Sequence, residues 1–120
     1  MPDETILPKR ILIVDDEQSI LDCLRMLLES DGYQVETARS GREALTKYST
    51  GKFDVVITDM RMDGMTGAQL AEAIKAKSPN QPIIMISAHE NNAPAAVDCL
   101  VRKPFALDAL RAALAMVLGK

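Results

Sequence analysis

The apolar residues of this chain fall into short continuous runs separated by longer segments with helical spacing. The runs at 10–14, 55–59 and 83–87 are nearly unbroken, which is typical of parallel strands buried on both faces. Residues 33–38 alternate in polarity and residues 99–102 form a brief apolar run. These two segments predict shorter strands, so the pattern indicates five strands in all.

Apolar stripes at three- and four-residue spacing predict four helices. Glycines close the first two, and the four segments are 20–31, 40–51, 69–77 and 107–118. Strand and helix therefore alternate along most of the chain. This order predicts an α/β fold, with a parallel sheet that carries helices on both faces.

The connection between the last two strands is unusually short for such a fold. Only residues 88–98 lie between Ser87 and Cys99, and they are mostly polar and include Pro94. A crossover with its helix needs at least about 10–12 residues, and proline does not suit a helix interior. We therefore expect a fourth crossover helix that is shortened or irregular, with at most a turn or two at 93–98 after Asn92 as its cap.

Length and charge narrow the class of protein. The 120 residues suit one domain, with 1–9 as a flexible leader and 10–118 as the folded unit. A net charge of −3 argues against nucleic acid as a partner, and no apolar run reaches transmembrane length. Cys23 and Cys99 stand in apolar patterns without metal-site spacing, so we expect reduced thiols in or near the core, as in a cytoplasmic protein.

Polar residues stand where four of the predicted strands end. They are Asp15, Asp16, Asp59, Ser87 and Lys103. The carboxyl ends of parallel strands share one edge of the sheet, which is where open α/β sheets bind ligands. We therefore expect these five side chains to form one site.

The residue types suggest phosphoryl chemistry on a carboxylate. Three neighbouring carboxylates repel one another, and a hard divalent cation such as Mg²⁺ relieves that repulsion. Lys103 and the Ser87 hydroxyl can meet phosphoryl oxygens, and Asp59 can act as the nucleophile. Taken singly, each residue has a plainer explanation: Asp16 as a helix cap, Asp59 as a loop residue, Ser87 as a turn residue and Lys103 as a solvated charge.

Four motifs together resemble the receiver domain of two-component response regulators. They occupy 11–17, 54–59, 85–89 and 103–105, and the segment 38–45 matches the entry to that family's second helix. The resemblance spans 10–118 and implies a flavodoxin-like, doubly wound sheet of strand order 2-1-3-4-5. It also implies cytoplasmic phosphorelay signalling, with a sensor histidine kinase or a histidine phosphotransfer protein as phosphodonor.

The resemblance assigns a role to each site residue. Asp59 corresponds to the phosphoacceptor, Asp16 to a direct Mg²⁺ ligand and Asp15 to a ligand through water, with the backbone carbonyl of Arg61 completing the set; Mn²⁺ can replace Mg²⁺ in such sites. Ser87 corresponds to the switch hydroxyl and Lys103 to the phosphoryl partner. The resemblance also implies a cis Lys103–Pro104 bond. Such a domain catalyses only its own phosphorylation and dephosphorylation.

The chain departs from the family pattern at three places. Asp63 stands where proline is usual, Leu100 replaces the switch aromatic, and the interval from Ser87 to Lys103 is short. We expect Leu100, Val101 and the alanine-rich last helix to be uncovered and to form a self-association or partner surface. Arg61 and His89 flank the site, and we hypothesise that they tune how fast water reaches the acyl phosphate.

Two other interpretations stay open. A degenerate receiver could act as an adaptor that binds proteins without being phosphorylated. A Mg²⁺-dependent phosphohydrolase would need a second acid close after the nucleophile, and Asp63 is too far along the chain to fill that role plainly. Met60, Met62 and Met65 are expected to pack rather than bind metal, since thioethers are soft ligands.

Overall fold

A computed structural model describes residues 8–88, 94–103 and 107–118. Its strands are β1 (Arg10–Val14), β2 (Gln34–Ala38), β3 (Val55–Asp59), β4 (Ile83–Ser87) and β5 (Cys99–Arg102). Its helices are α1 (Gln18–Ser30), α2 (Gly41–Thr50), α3 (Gly67–Lys77) and α4 (Leu107–Val117). All neighbouring strands are parallel and the order is β2-β1-β3-β4-β5. The predicted fold class and strand order are therefore confirmed.

Helix α3 begins two residues earlier than the apolar spacing predicts, because its first turn is capped. The Thr66 side chain accepts a hydrogen bond from the Gln69 N–H, and the Gln69 side chain accepts one from the Thr66 N–H. This reciprocal pair satisfies two donors that the start of a helix otherwise leaves without partners. The cap places the first turn of α3 directly after the loop that follows β3.

The sheet is buried on both faces. Leucines of α1 and α4 pack on one face, around Ile13, Ile57 and Ile84. Residues of α2 and α3 pack on the other, around Leu12, Val56 and Met85. Two-sided burial explains why the central strands are continuous apolar runs. Among the described residues, no helix is long and apolar enough to cross a membrane.

A single turn stands in the described part of the β4–β5 connection. The Val97 N–H donates to the Pro94 carbonyl at 2.9 Å, and residues 94–98 contain no helix. The helical turns expected at 93–98 are therefore not seen over 94–98, the described residues of that stretch. Asn92 and His89 lie outside the described residues. Pro94 favours this outcome, since its ring fixes φ and removes a donor.

Asp98 fastens the end of this connection to the sheet. Its N–H donates to the Ile83 carbonyl at 2.9 Å, and its Oδ2 accepts from the Ile83 N–H at 2.8 Å. Lys75 of α3 reaches the same Oδ2 at 2.9 Å, while Val97 is buried beside the α2 and α3 side chains. These contacts set where β5 begins against β4.

Burial corrects the expectations for Val101, Ala113 and Cys23. Val101 is 5% exposed and Ala113 is 4% exposed, so neither is uncovered. Their side chains fill the core between the sheet, α1 and α4. Leu100 is half-buried, and Met116 is 63% exposed. Cys23 is exposed rather than in the core, because it lies on the outer side of α1, whereas Cys99 is half-buried as expected.

Candidate functional site

The five predicted site residues meet at the carboxyl edge of the sheet. Asp59 is the last residue of β3 and Ser87 the last of β4, and Asp15 and Lys103 directly follow β1 and β5. Because β1, β3, β4 and β5 are consecutive in the sheet, their ends are neighbours. Asp59 and Ser87 are 9% and 2% exposed, so neither is a loop residue in solvent.

Two hydrogen bonds to the backbone of neighbouring segments orient Asp15 toward the site. Its N–H donates to the Ala38 carbonyl at 3.1 Å, and its Oδ1 accepts from the Glu17 N–H at 3.0 Å. Glu17, rather than Asp16, is the N-cap residue of α1, and it makes no side-chain capping bond. The plainer explanation of Asp16 as a helix cap therefore fails.

Asp15, Asp16 and Asp59 form a compact acidic cluster. One carboxylate oxygen from each lies within 4.8 Å of the others. Burial is the main cause that raises the pKa of Asp15, and the charges of Asp59 and Asp16 add to it. The Glu17 hydrogen bond and the charge of Lys103 oppose that rise. Three hard oxygen donors at this spacing fit a divalent cation of the Mg²⁺ type.

Lys103 pairs with Asp59 across the same edge. Its Nζ lies 2.9 Å from Asp59 Oδ1, and its N–H donates to the Ser87 carbonyl at 2.9 Å. Burial lowers the pKa of Lys103, but the hydrogen bond and charge of Asp59, with Asp15 and Glu17, outweigh it and raise that pKa. The ammonium is therefore charged at neutral pH and is not a freely solvated group.

This geometry agrees with the comparison to known sequences. Residues 11–115 match the family described as the response regulator receiver domain. The chain belongs to this family. Receiver domains are parts of two-component signalling systems, so the broad functional prediction is confirmed.

Solved receiver structures share the fold over most of the chain. TrrA of Thermotoga maritima, solved in complex with Mg²⁺ and BeF, is 37% identical, with a TM-score of 0.85 over 92% of this chain and 99% of that chain. TrrA was also solved in complex with the histidine kinase ThkA; that match has a TM-score of 0.84, 37% identity, and covers 92% and 98% of the two chains. A CheY-like receiver from Methanospirillum hungatei has a TM-score of 0.88 at 30% identity, over 93% and 94%.

Curated relatives are longer proteins. The response regulator MprA of Mycolicibacterium vanbaalenii is 32% identical over 95% of this chain and 52% of its own length. The transcriptional regulatory protein GlrR of Escherichia coli is 44% identical over 68% of this chain and 18% of its own length. The chain thus spans about half or less of these two relatives.

The residues where this receiver domain departs from the family pattern have definite places. Leu100 pairs with Met85 in the β4–β5 ladder and packs on the side of α2 and α3. Asp63 and Arg61 are exposed in the loop between β3 and α3. His89 and the Lys103–Pro104 bond fall outside the described residues, so the hypotheses about them stay predictions.

Three methionines follow Asp59 in sequence and pack as expected. Met62 is 9% exposed, and Met60 and Met65 are half-buried against the α2 and α3 side of the core. Met65 also lies against Gly41, where a Cβ would be 2.7 Å from its Sδ. Met65 therefore packs the loop after Asp59 against the start of α2, and Met60 and Met62 pack in the core on the same side of the sheet.

Gly67 supports the site in a way that sequence reasoning missed. A Cβ at this position would overlap the Asp59 carbonyl oxygen and lie 3.0 Å from Met60 Cα. The Gly67 N–H donates to the Met60 carbonyl at 2.8 Å. Only glycine allows α3 to start this close to the backbone of Asp59. The sequence signal was a glycine three residues after Gly64, which indicated only a loop.

Proposed function

We propose that this receiver domain accepts a phosphoryl group on Asp59 in a reaction that depends on Mg²⁺. The observation that carries the proposal is the position of Asp59 between Lys103, 2.9 Å away, and two further carboxylates within 4.8 Å. A purely structural lysine–aspartate pair has no need of two more buried or half-buried acids. Asp15, Asp16, Asp59 and the Arg61 carbonyl are the proposed Mg²⁺ ligands, and Mn²⁺ is expected to substitute.

The proposed reaction is a direct transfer to the carboxylate. An Asp59 oxygen attacks the phosphorus of a phosphohistidine, the phosphorus–nitrogen bond breaks, and the imidazole nitrogen leaves with the electron pair. Lys103 neutralises negative charge on the phosphoryl oxygens, and the Ser87 hydroxyl donates a hydrogen bond to one of them. Bound Mg²⁺ supplies charge stabilisation to the same oxygens.

The phosphodonor in this proposal is a sensor histidine kinase or a histidine phosphotransfer protein in the cytoplasm. The ThkA–TrrA complex supports the first, because TrrA is a 37% identical receiver. The domain catalyses only its own phosphorylation and dephosphorylation. Direct binding of nucleic acid is not part of the proposal, in keeping with the net charge of −3.

Phosphorylation is proposed to switch a partner surface through Ser87. Leu100 is two residues before Arg102, which pairs with Ser87 in the ladder, but a leucine has no ring to reorient. The exposed parts of α4 around Met116 are the proposed self-association surface. Light scattering with and without beryllofluoride tests this, and a monomer under both conditions would contradict it.

Intact mass measures the proposed reaction directly. Incubation with Mg²⁺ and acetyl phosphate is expected to add one phosphoryl group to the wild-type protein and none to Asp59→Asn. Asp63→Asn removes the same charge from an exposed loop position and is expected to be phosphorylated like wild type. Modification that persists in Asp59→Asn would place the acceptor elsewhere.

The same reaction tests the flanking residues. Arg61→Ala and His89→Ala are expected to change the lifetime of the phosphoryl group, because both positions flank the site in sequence. The lifetime is measured after removal of acetyl phosphate. Unchanged lifetimes in both variants would contradict the hypothesis.

A second candidate is an adaptor that is never phosphorylated. The absence of helix over residues 94–98 favours it, because the resemblance to receiver domains implies a fourth helix that helps to form the output face beside β5. An adaptor would bind its partner equally well with and without beryllofluoride and would show no mass gain. Release of phosphate from a free phosphoester would instead indicate a hydrolase.

A further inference from the structure

Arg39 stands at the rim of the acidic cluster, on the side of Asp16. Ala38, the last residue of β2, pairs with Val14 and accepts a hydrogen bond from the Asp15 N–H at 3.1 Å. Arg39 follows immediately, so the sheet itself brings its backbone beside Asp15 and Asp16. None of the roles proposed above uses this arginine.

Two contacts hold Arg39 in this place. Its Nη2 donates to the backbone carbonyl of Asp16 at 3.3 Å, and its N–H donates to Glu43 Oε1 at 3.0 Å. Glu43 is itself fixed in the first turn of α2, because its N–H donates to Ser40 Oγ at 3.0 Å. The side chain is exposed, so burial of apolar surface does not explain its position.

The contact matters because it goes to a carbonyl and not to a carboxylate. A guanidinium that pairs with a carboxylate is largely neutralised by it, whereas a carbonyl carries only a partial charge. Arg39 therefore adds a positive charge beside the cluster while leaving the Asp16 carboxylate to face Asp15 and Asp59. Lys103 differs, because its ammonium pairs with Asp59 inside the cluster.

We propose that Arg39 is an electrostatic positioning residue that weakens divalent-cation binding at Asp15, Asp16 and Asp59 and attracts anionic phosphodonors to Asp59. The part of this inference that concerns phosphodonors rests on the proposed function, whereas the part that concerns cation binding does not. Its physical basis is simple: one fixed positive charge repels a cation and attracts an anion at the same site. The two effects must therefore change in opposite directions when the charge is removed.

Coulomb's law sets the expected size. A unit charge and a divalent cation in water repel by about 1 kcal/mol at a separation on the order of 8 Å, which is about fivefold in affinity. We expect Arg39→Gln to bind Mg²⁺ about fivefold more tightly at low ionic strength. The gain should shrink as salt is added, because exposed charges at this range are screened.

The test combines three variants with two measurements. Arg39→Gln removes the charge, Arg39→Lys retains it, and Arg25→Gln controls for the loss of one exposed positive charge elsewhere. Arg25 lies away from the cluster: its Nη2 is 3.5 Å from the Val35 carbonyl, three residues before the end of β2, and its Nε is 3.7 Å from Glu29 Oε2. Calorimetric titration with Mg²⁺ gives the affinity at low and high salt. Mass spectrometry gives the rate of phosphorylation by acetyl phosphate at saturating Mg²⁺.

We expect Mg²⁺ affinity and the phosphorylation rate to change in opposite directions in Arg39→Gln and to be restored in Arg39→Lys. In Arg39→Gln, Mg²⁺ binding tightens and transfer slows, each about fivefold. Transfer here means that an Asp59 oxygen bonds to phosphorus as acetate leaves. Arg39→Lys should restore both values, whereas Arg25→Gln should change neither.

Clear outcomes overturn the inference. Mg²⁺ affinity of Arg39→Gln within twofold of wild type would do so, as would an equal change in Arg25→Gln or the absence of rescue by lysine. If the wild-type protein accepts no phosphoryl group, the proposed function fails, and so does the inference that Arg39 attracts phosphodonors. The Mg²⁺ titration then decides independently whether Arg39 weakens cation binding.

Discussion

Replacing Asp15 with asparagine should stabilise the protein in the absence of divalent cations. The Asp15 carboxylate is buried within 4.8 Å of two like charges. At that separation two unit charges repel by about 0.9 kcal/mol in water and about 3.5 kcal/mol at an effective dielectric constant near 20. Lys103 offsets part of this repulsion, so we expect a net gain of about 1 kcal/mol. Asparagine keeps an oxygen that can accept from the Glu17 N–H.

The pKa of Asp15 fixes the pH dependence of this gain. Burial, aided by Asp59 and Asp16, raises this pKa in the folded protein. Such a group favours the folded state fully below its unfolded pKa, and that contribution is lost as pH rises through the folded pKa. The stability of the wild-type protein should therefore match that of Asp15→Asn below about pH 3.9, the unperturbed pKa of an aspartate, and fall below it as pH rises to neutral.

Thermal unfolding in EDTA and in Mg²⁺ measures the effect. For a domain of this size, 1 kcal/mol corresponds to a shift of about 4 °C in Tm. Mg²⁺ at ten times its Kd should stabilise the wild-type protein by about 1.4 kcal/mol and Asp15→Asn by much less. Asp63→Asn, an exposed position, is the charge-matched control.

Two results would refute this reasoning. If Asp15→Asn were no more stable than wild type in EDTA at neutral pH, repulsion within the cluster would not be a significant cost. If Asp63→Asn gained as much, the effect would come from net charge and not from the site.

Three further changes have expected outcomes. Gly67→Ala should destabilise the fold by about 2 kcal/mol or more and slow phosphorylation, because the new Cβ meets the Asp59 carbonyl; denaturant unfolding and mass gain measure both. Lys103→Met should lower the free energy of unfolding by about 1 kcal/mol, because solvent screens the ion pair of this partly exposed ammonium. Because the Lys103 pKa is raised, that difference should persist through neutral pH and be lost as pH rises through the Lys103 pKa. Asp98→Ala should cost about 1–3 kcal/mol, since the Ile83 N–H loses its side-chain acceptor.

Matched variants separate these effects from general damage. Gly64→Ala meets no atom within 4 Å but forces alanine to a φ of +84°, so it should cost about 1 kcal/mol and leave Asp59 reactive. Lys75→Met removes only the partly exposed ion pair of Asp98 and should lower the free energy of unfolding by less than 1 kcal/mol. Equal losses in Asp98→Ala and Lys75→Met would contradict the role assigned to the Ile83 hydrogen bond.

Much of the fold followed from hydrophobic spacing. The central strands were identifiable because two-sided burial requires continuous apolar runs, as in Ile11–Val14 and Ile83–Ile86. Local signals were weaker at helix ends: α3 begins at Gly67 because of a capping box in which the side chains of Thr66 and Gln69 each accept a hydrogen bond from the other's backbone N–H. Pro94 indicated an irregular connection, and over residues 94–98 a turn stands where helical turns were expected.

The sequence by itself determined which residues could form the site, because parallel strands bring their carboxyl ends to one edge. It therefore placed Asp15, Asp59 and Lys103 together before any distance was known. Only the tertiary structure decided the contacts between separate elements. These include Gly67 against the Asp59 carbonyl and Arg39 on the Asp16 carbonyl. Such contacts depend on distances of a few ångströms between elements, and a linear pattern of apolar and polar residues does not encode them.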